Sequence, residues 1–320
     1  MSKKAVLVCM SAAAVLALPM CQEFDGPPAA GMVTSVDPVA DALLAKAREY
    51  RAAGKLGREI DTLKKVALNH PLAPHADEAR LMLGKAYERK KDYREAFTQY
   101  GKLLDRYPQS PLYTEALNSQ LAMAMAAAQG KLKVPVMGGL WKSDMEASKV
   151  IEWLRAIIDK APYNDMSATA SSILAGYLVD LKRDEEARME YARLVEKYPD
   201  SVYAPGAQLM VAELWANSRT RGENNLVNIS NAREAYEEFN LRFPGHKDSA
   251  KAQQQVSNMK SLLVKQQLEV GKYYLNRSRE YTSAVFCFED VIRQRAVNPA
   301  AAKEAEGLLA RARALAGSKK

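Results

Sequence analysis

A chain of 320 residues with 48% hydrophobic and 26% charged residues has the make-up of a folded protein, not of a disordered one. It is too long for a single core of ordinary size unless it is a repeat array, which lengthens without thickening. Its 16 glycines and 14 prolines are few for turn-rich β folds, and a net charge of +8 with no run of five basic residues speaks against a nucleic-acid stripe.

Lys3 and Lys4 precede an uncharged, mostly apolar stretch at 5–18, too short to span a bilayer stably. This is the pattern of a secretory signal. Cys21 follows where a bacterial lipoprotein signal carries the cysteine that becomes the lipidated N-terminus. Pro19 and Met20 stand where small residues are usual, so ordinary cleavage after Ala30 or Gly31 and an uncleaved anchor remain open beside it. The expected division is a signal at 1–20, a flexible tether at 21–37, a helical array over 38–316 and a short disordered tail at 317–320.

From residue 38 onward every segment reads as helix. The first pair of helices is expected near 39–53 and 57–70, around Gly54. Proline-terminated helices then recur: prolines at 71, 108, 162, 199, 244 and 299 lie 37, 54, 37, 45 and 55 residues apart. Internal repeats of this size point to a solenoid of helical hairpins. The second repeat shows it best. Leu83, Gly84 and Tyr87 lie on its first helix; Ala96, Tyr100, Leu103 and the terminating Pro108 follow on its second. These offsets match the tetratricopeptide (TPR) consensus. Gly84 and Ala96 are small where two helices cross closely, Tyr87 and Tyr100 fill the space beside the crossing, and Pro108 ends the helix. On this reading Gly84→Ala is tolerated and Gly84→Leu is not. The fourth repeat agrees, with Leu174, Ala175, Leu178, Ala187, Tyr191, Leu194 and Pro199. The third and fifth carry insertions at 130–143 and 218–229. A long helix from about 249 to 276 follows, then one through 281–295 and a last one at about 300–315. The fold class is therefore all-α, a TPR-like solenoid of five to six hairpins.

Five or six such hairpins behind a lipoprotein-like signal resemble the BamD family of outer-membrane assembly lipoproteins, subunits of the β-barrel assembly machinery. The resemblance runs over about 35–300. It rests on Lys46-Ala47-Arg48-Glu49-Tyr50, on Pro108-Gln109-Ser110 and Pro199-Asp200-Ser201 after second helices, on Ala232-Arg233-Glu234-Ala235-Tyr236 with Arg242-Phe243-Pro244, and on Gly271-Lys272-Tyr273-Tyr274 with Arg277 and Tyr281. Ser278-Arg279-Glu280 lengthens a turn the family keeps short, and Asn298 replaces a tyrosine. The resemblance implies a scaffold and no cofactor. Its implied partners are the periplasmic POTRA part of BamA at the C-terminal repeats, other assembly-machinery lipoproteins, and unfolded outer-membrane protein segments in an N-terminal groove. The implied address is the periplasmic face of the outer membrane, held by palmitate and the other acyl chains on Cys21, or the periplasm if that cysteine is not used. Gln22, in place of a retaining Asp, fits outer-membrane sorting. Another periplasmic TPR scaffold, such as a cell-division coordinator or a pilus or secretion pilotin, is the rival reading.

No catalytic, metal or phosphate-binding motif is visible, and an enzyme is not expected. His70 and His75 read as surface histidines. Cys9 leaves with the signal, and Cys287, in an apolar helical run, reads as a small buried hydrophobe. Trp141, in the apolar insertion, is expected to pack on its own array, with partner anchoring as the other reading. Arg219, Arg221, Arg277 and Arg279 are candidates to pair with acidic partner groups. Of Tyr273 and Tyr274, adjacent on one helix, one should face the core and the other outward.

Overall fold

The computed structural model describes Pro27 and residues 36–317 except 137–140, 163 and 219–224. The signal segment, Cys21, nearly all of the tether, Arg219 and Arg221 therefore lie outside the described residues. Where one array over 38–316 is expected, the chain divides into two compact units that part between Ala116 and Leu117.

The N-terminal unit holds α1 (Pro38–Ala52), α2 (Leu56–Asn69), α3 (Ala76–Lys90), α4 (Tyr93–Arg106) and the start of α5 (Tyr113–Ala128). From α1 to α4 each helix packs on the next, α1 on α2, α2 on α3 and α3 on α4. The C-terminal unit continues α5 and adds α6 (Ala147–Lys160), α7 (Asp165–Asp180), α8 (Asp184–Lys197), α9 (Ala204–Ser218), α10 (Asn225–Arg242), α11 (Ser249–Tyr273), α12 (Tyr281–Arg293) and α13 (Pro299–Gly317). Here too, from α6 on, sequential neighbours pack on each other, and α13 also reaches back to α11. The fold is an all-α solenoid of TPR-like hairpins. Among the described residues α10 takes in 225–229, so the expected insertion at 218–229 is shorter, and α13 takes in Gly317.

One expectation fails outright. Not every segment from residue 38 onward is helix: the insertion at 130–143 carries two short strands. Lys133–Val136 (β1) and Trp141–Asp144 (β2) pair antiparallel, with Val134 opposite Ser143 and Pro135 opposite Lys142. Four-residue strands with a proline in one of them are too short to show a period of two.

The hairpins share a register. In the second repeat a left-handed junction, Lys91 at φ 64°, comes 7 residues after Gly84; Ala96 comes 12 after it and Tyr100 comes 16 after it. The same offsets lead from Ala175 to Lys182 (φ 61°), Ala187 and Tyr191, and from Ala47 to Gly54 (φ 67°), Glu59 and Leu63. A left-handed residue closes a helix by turning its last amide back onto the helix carbonyls. Lys91 N–H donates to the Glu88 carbonyl at 2.9 Å, and Lys182 N–H to that of Val179 at 2.9 Å.

In the last hairpin the offsets from Gly271 to Arg279 (φ 57°), Ala284 and Phe288 are 8, 13 and 17, one more in each case. The extra residue is absorbed where α11 widens into a π turn at Tyr274–Ser278. A π bulge is how a helix accommodates a single inserted residue without breaking. The long helix expected to 276 therefore changes type three residues early, after Tyr273.

Side chains tie successive repeats together. The Tyr107 hydroxyl, before Pro108, donates to the Pro71 carbonyl at 2.8 Å, and Ser110 Oγ donates to Asp77 at 2.6 Å. Asn298 donates to the Ser261 carbonyl at 3.2 Å and accepts from Ala301 N–H at 3.0 Å, so it caps α13. His70 is not a lone surface histidine: its Nδ1 lies 2.8 Å from Asp37 Oδ2, tying the end of α2 to the start of α1.

Asp37 also caps α1, accepting from Ala40 N–H at 3.0 Å. The Ala40 amide first, and His70 second, hold the Asp37 carboxyl below its ordinary value. A depressed carboxyl stabilises the fold at pH above its unfolded pKa and loses that contribution as pH falls through the folded one. The gap in melting temperature between wild type and Asp37→Ala is therefore expected to stay constant from neutral pH down to about 4 and to close below it. A gap that begins to close well above pH 4 would overturn this assignment to the Asp37 carboxyl.

Candidate interaction surfaces

Three surfaces emerge. The first lies wholly in the N-terminal unit. The first helices of its repeats, α1 and α3, and the segment before α5 border a groove of about 680 Å³. Leu81, Met82 and Leu112 give it an apolar lining, and Arg48, Arg51 and Lys85 a basic rim. Arg48 is bound to Glu78 at 2.6 Å, and Lys85 is bound to Glu115. Such a mix of apolar floor and exchangeable ion pairs suits an extended polypeptide better than a small molecule.

The walls of this groove are held by the crossing that the sequence singles out. Ala96 and Tyr100 are fully buried and Tyr87 nearly so. A Cβ on Gly84 would stand 2.7 Å from Tyr100 Cδ1 and 2.8 Å from Cζ. The expected tolerance of alanine at Gly84 is therefore wrong: the ring fills the space a methyl would need. Two buried polar residues support the crossing, and the sequence reading singled out neither. Arg80 donates to Gln99 at 2.9 Å and to the Ala67 carbonyl at 3.1 Å. Glu59 occupies the offset where other repeats have alanine; only 1% of it is exposed, and it is bound to Arg89 across the repeat boundary. In sequence Glu59 looks like any acid on a charged helix, and its place in the repeat register was the available signal.

The second surface ends the C-terminal unit. Ala187 and Tyr191 are buried as the repeat register requires, and Pro199 is exposed at the exit, as is Pro108 in the other unit. In the last hairpin Gly271 meets Phe288 as Gly84 meets Tyr100: an added Cβ would lie 2.7 Å from Phe288 Cε1 and 3.1 Å from Cys287 Cβ. Cys287 is buried there, and burial raises its thiol pKa, so it is a packing residue. Tyr274 packs into the core formed by Val264, Leu268, Phe288 and α13, whereas Tyr273 is 59% exposed, the division expected of the pair. Their rings meet edge to face at 6.0 Å. Leu308, Leu309 and Leu315 of α13 cover the hairpin's far side. Arg277 is exposed on the π turn. Arg279 holds the left-handed junction, so it is part of the turn's construction as well as of its surface. Exposed Phe286 and half-buried Tyr274 border a groove of about 520 Å³ between α11 and α12.

The third surface is the ribbon. Trp141 is 64% exposed, so the expectation that it packs on its own array is overturned. It lies neither near Tyr273 in sequence nor on the same element.

Among the described residues no cluster of three His, Cys, Asp or Glu is placed to hold a metal, and no helix is long and apolar enough to cross a membrane. The arrangement offers grooves and exposed rings.

The YfiO outer membrane lipoprotein family matches residues 37–218, more than half of the chain. The chain belongs to that family. YfiO is BamD, the family the sequence resembles. The match takes in the N-terminal groove and the ribbon and stops short of the last hairpin. No curated protein matches the chain. Among solved structures, a tetratricopeptide repeat protein from Parabacteroides merdae ATCC 43184 aligns at 12% identity over 84% of this chain and 100% of its own, with a TM-score of 0.33. MamA of AMB-1 aligns at 15% identity over 62% of this chain and 92% of its own, TM-score 0.30. The TPR2AB domain of yeast Sti1 aligns at 16% identity over 69% and 85%, TM-score 0.27. The YfiO chain described here is thus an outer-membrane lipoprotein scaffold built of helical repeats.

Proposed function

We propose that this YfiO-family chain is a BamD-like adaptor of the β-barrel assembly machinery. Its N-terminal groove receives an extended segment of an incoming barrel protein, and its last hairpin holds the periplasmic POTRA part of a BamA-like partner. Acylated Cys21 keeps it on the periplasmic face of the outer membrane. Family membership over residues 37–218 carries this reading. The apolar-floored, basic-rimmed groove and the exposed Tyr273, Arg277 and Phe286 support it.

Affinity purification from solubilised envelopes, read by mass spectrometry, tests it. A BamA-like protein is expected as the main partner, and recovery of cell-division or pilus components instead would overturn the reading. Within that experiment, Arg277→Glu combined with Tyr273→Ala is expected to reduce recovery of the BamA-like partner several-fold at low salt, with melting temperature unchanged and a smaller effect at high salt. Arg279 is left intact because its left-handed backbone closes the turn. Intact-mass analysis checks the anchor. A diacylated or triacylated N-terminal Cys21 is expected, and an unmodified start at residue 31 or 32 would refute it.

A further inference from the structure

The ribbon carries an open strand edge. We propose that β2 (Trp141–Asp144) receives an extended polypeptide as a third strand, one that alternates aromatic or β-branched residues with acidic ones. This rests on the reading that the chain takes up segments of barrel proteins, and it assigns them a second place of contact besides the N-terminal groove.

The backbone selects the edge. Among the described residues the sheet holds two strands, so β1 and β2 each have one side unpaired. Pro135 in β1 has no N–H, and a proline in a ladder stands where its nitrogen faces away from the neighbouring strand. The outer side of β1 thus lacks a donor and is a poor template. In an antiparallel ladder, opposed residues point their N–H and C=O groups either both inward or both outward. Lys142 is opposite Pro135, so its N–H and C=O face the open side of β2; those of Asp144, opposite Lys133, do the same. The Ser143 hydroxyl donates to the Asp144 carbonyl at 3.1 Å. Left for a new strand are both main-chain groups of Lys142 and the N–H of Asp144. All four residues of β2 are exposed, as an approach from outside requires.

The side chains set what fits. Trp141 and Ser143 share one face of β2, Lys142 and Asp144 the other. Asp144 is bound to Lys133 across the ribbon, whereas Lys142 has no acid partner among the described residues. An acid on the new strand therefore meets Lys142. An aromatic or β-branched residue next to it meets Trp141, which is 64% exposed. Both are favourable cross-strand pairs. A second copy of β2 is a worse occupant: pairing through the same outward groups sets Lys142 against Lys142, and like charges directly opposed destabilise a ladder. Strands of outer-membrane barrels alternate apolar and polar residues, the pattern that this edge accepts.

The mature protein, purified in detergent with 5-fluorotryptophan in place of tryptophan, is titrated with a short synthetic peptide alternating glutamate or threonine with tyrosine or valine. Trp153 is 2% exposed and Trp215 is half-buried under Arg188, so the Trp141 fluorine resonance, assigned with Trp141→Phe, reports the ribbon. The peptide is expected to shift it saturably. A peptide of equal charge with proline at every third position, which cannot add to a sheet, should leave it in place. Lys142→Pro removes only an outward N–H and should weaken binding roughly tenfold. Lys142→Thr keeps that N–H, loses the charge and should weaken binding less. Melting temperature should be unchanged in both. An unmoved Trp141 resonance, equal binding of the proline peptide, or undiminished binding by folded Lys142→Pro would each overturn the proposal; if Lys142→Pro does not fold, the proline peptide decides. A Trp141 shift that grows with protein concentration in the absence of peptide would assign the edge to a second copy and overturn it too. Arg51→Glu, on the rim of the N-terminal groove, separates the two readings. Peptide binding that leaves Trp141 unmoved and is lost in Arg51→Glu overturns the ribbon site and leaves the groove standing.

Discussion

Gly84→Ala is expected to lower the stability of the protein, although alanine is the better helix former. Alanine gains about 1 kcal/mol over glycine in a helix interior. Against this, its methyl must displace the Tyr100 ring, whose Cδ1 and Cζ stand 2.7 and 2.8 Å from the position it would take. The ring is fully buried and its hydroxyl is bound to Glu88, so it has nowhere to swing without losing that bond. Overpacking of this kind costs about 1–3 kcal/mol, enough to outweigh the helix gain. Gly84→Leu should cost more still. At roughly 4–8 °C per kcal/mol for a unit of this size, thermal melts will resolve both. Pairing Gly84→Ala with Tyr100→Leu frees the space, so the double variant should lose less than the two single losses added together. A Gly84→Ala protein that melts at or above the wild-type temperature would show that the helices do not cross where the structure puts them.

The Glu59–Arg89 pair should give effects of opposite character from its two ends. Glu59 is 1% exposed, and its Oε1 has no hydrogen-bond partner, so Arg89 supplies what compensates its charge. Arg89→Ala strands a buried carboxylate. Removing one member of a fully buried pair costs about 3–5 kcal/mol; because the Arg89 side chain is 39% exposed, about 1–3 kcal/mol is expected here. Glu59→Ala instead puts at this offset the residue that the second and fourth repeats already have, Ala96 and Ala187. It removes an unpaired polar atom along with the charge, and replacing a buried ion pair by apolar atoms is often neutral or stabilising. The double variant should therefore be close to Glu59→Ala and clearly more stable than Arg89→Ala. Equal losses for the two single variants would mean that the pair contributes net attraction and that the register carries no preference for a small residue at position 59.

The helices were legible because their cause is local. Spacing of apolar residues, small residues at crossings and prolines at exits are written within single hairpins, and α1 and α2 fall within a residue or two of where periodicity predicts them. Family membership was legible from the same hairpins. What escaped depends on distances that spacing does not encode. Gly84 and Ala96 both read as small, but that Tyr100 leaves no room even for a methyl is a matter of tenths of an ångström. His70 and Glu59 looked like solvent-facing polar residues because their partners are about 30 residues away in sequence, Asp37 at the other end of the same hairpin and Arg89 in the next repeat. The ribbon was missed because its pairing gathers two four-residue strands on either side of a glycine pair, and Trp141 was assigned to the core on apolarity alone. The π turn was in principle countable, since the interval from Gly271 to Phe288 exceeds that from Gly84 to Tyr100 by one residue.

The bonds that join neighbouring repeats have a bearing on how the chain reaches its fold. Tyr107 to Pro71 spans 36 residues, Ser110 to Asp77 spans 33 and Asn298 to Ser261 spans 37. Each is satisfied as soon as one further hairpin is available. Low loop-closure cost makes such folding fast, and a chain emerging N-terminus first can add hairpins in the order in which they appear. Such a chain assembles progressively behind its own leading end. At any moment it exposes about one uncovered hairpin face, and not a whole unfinished core.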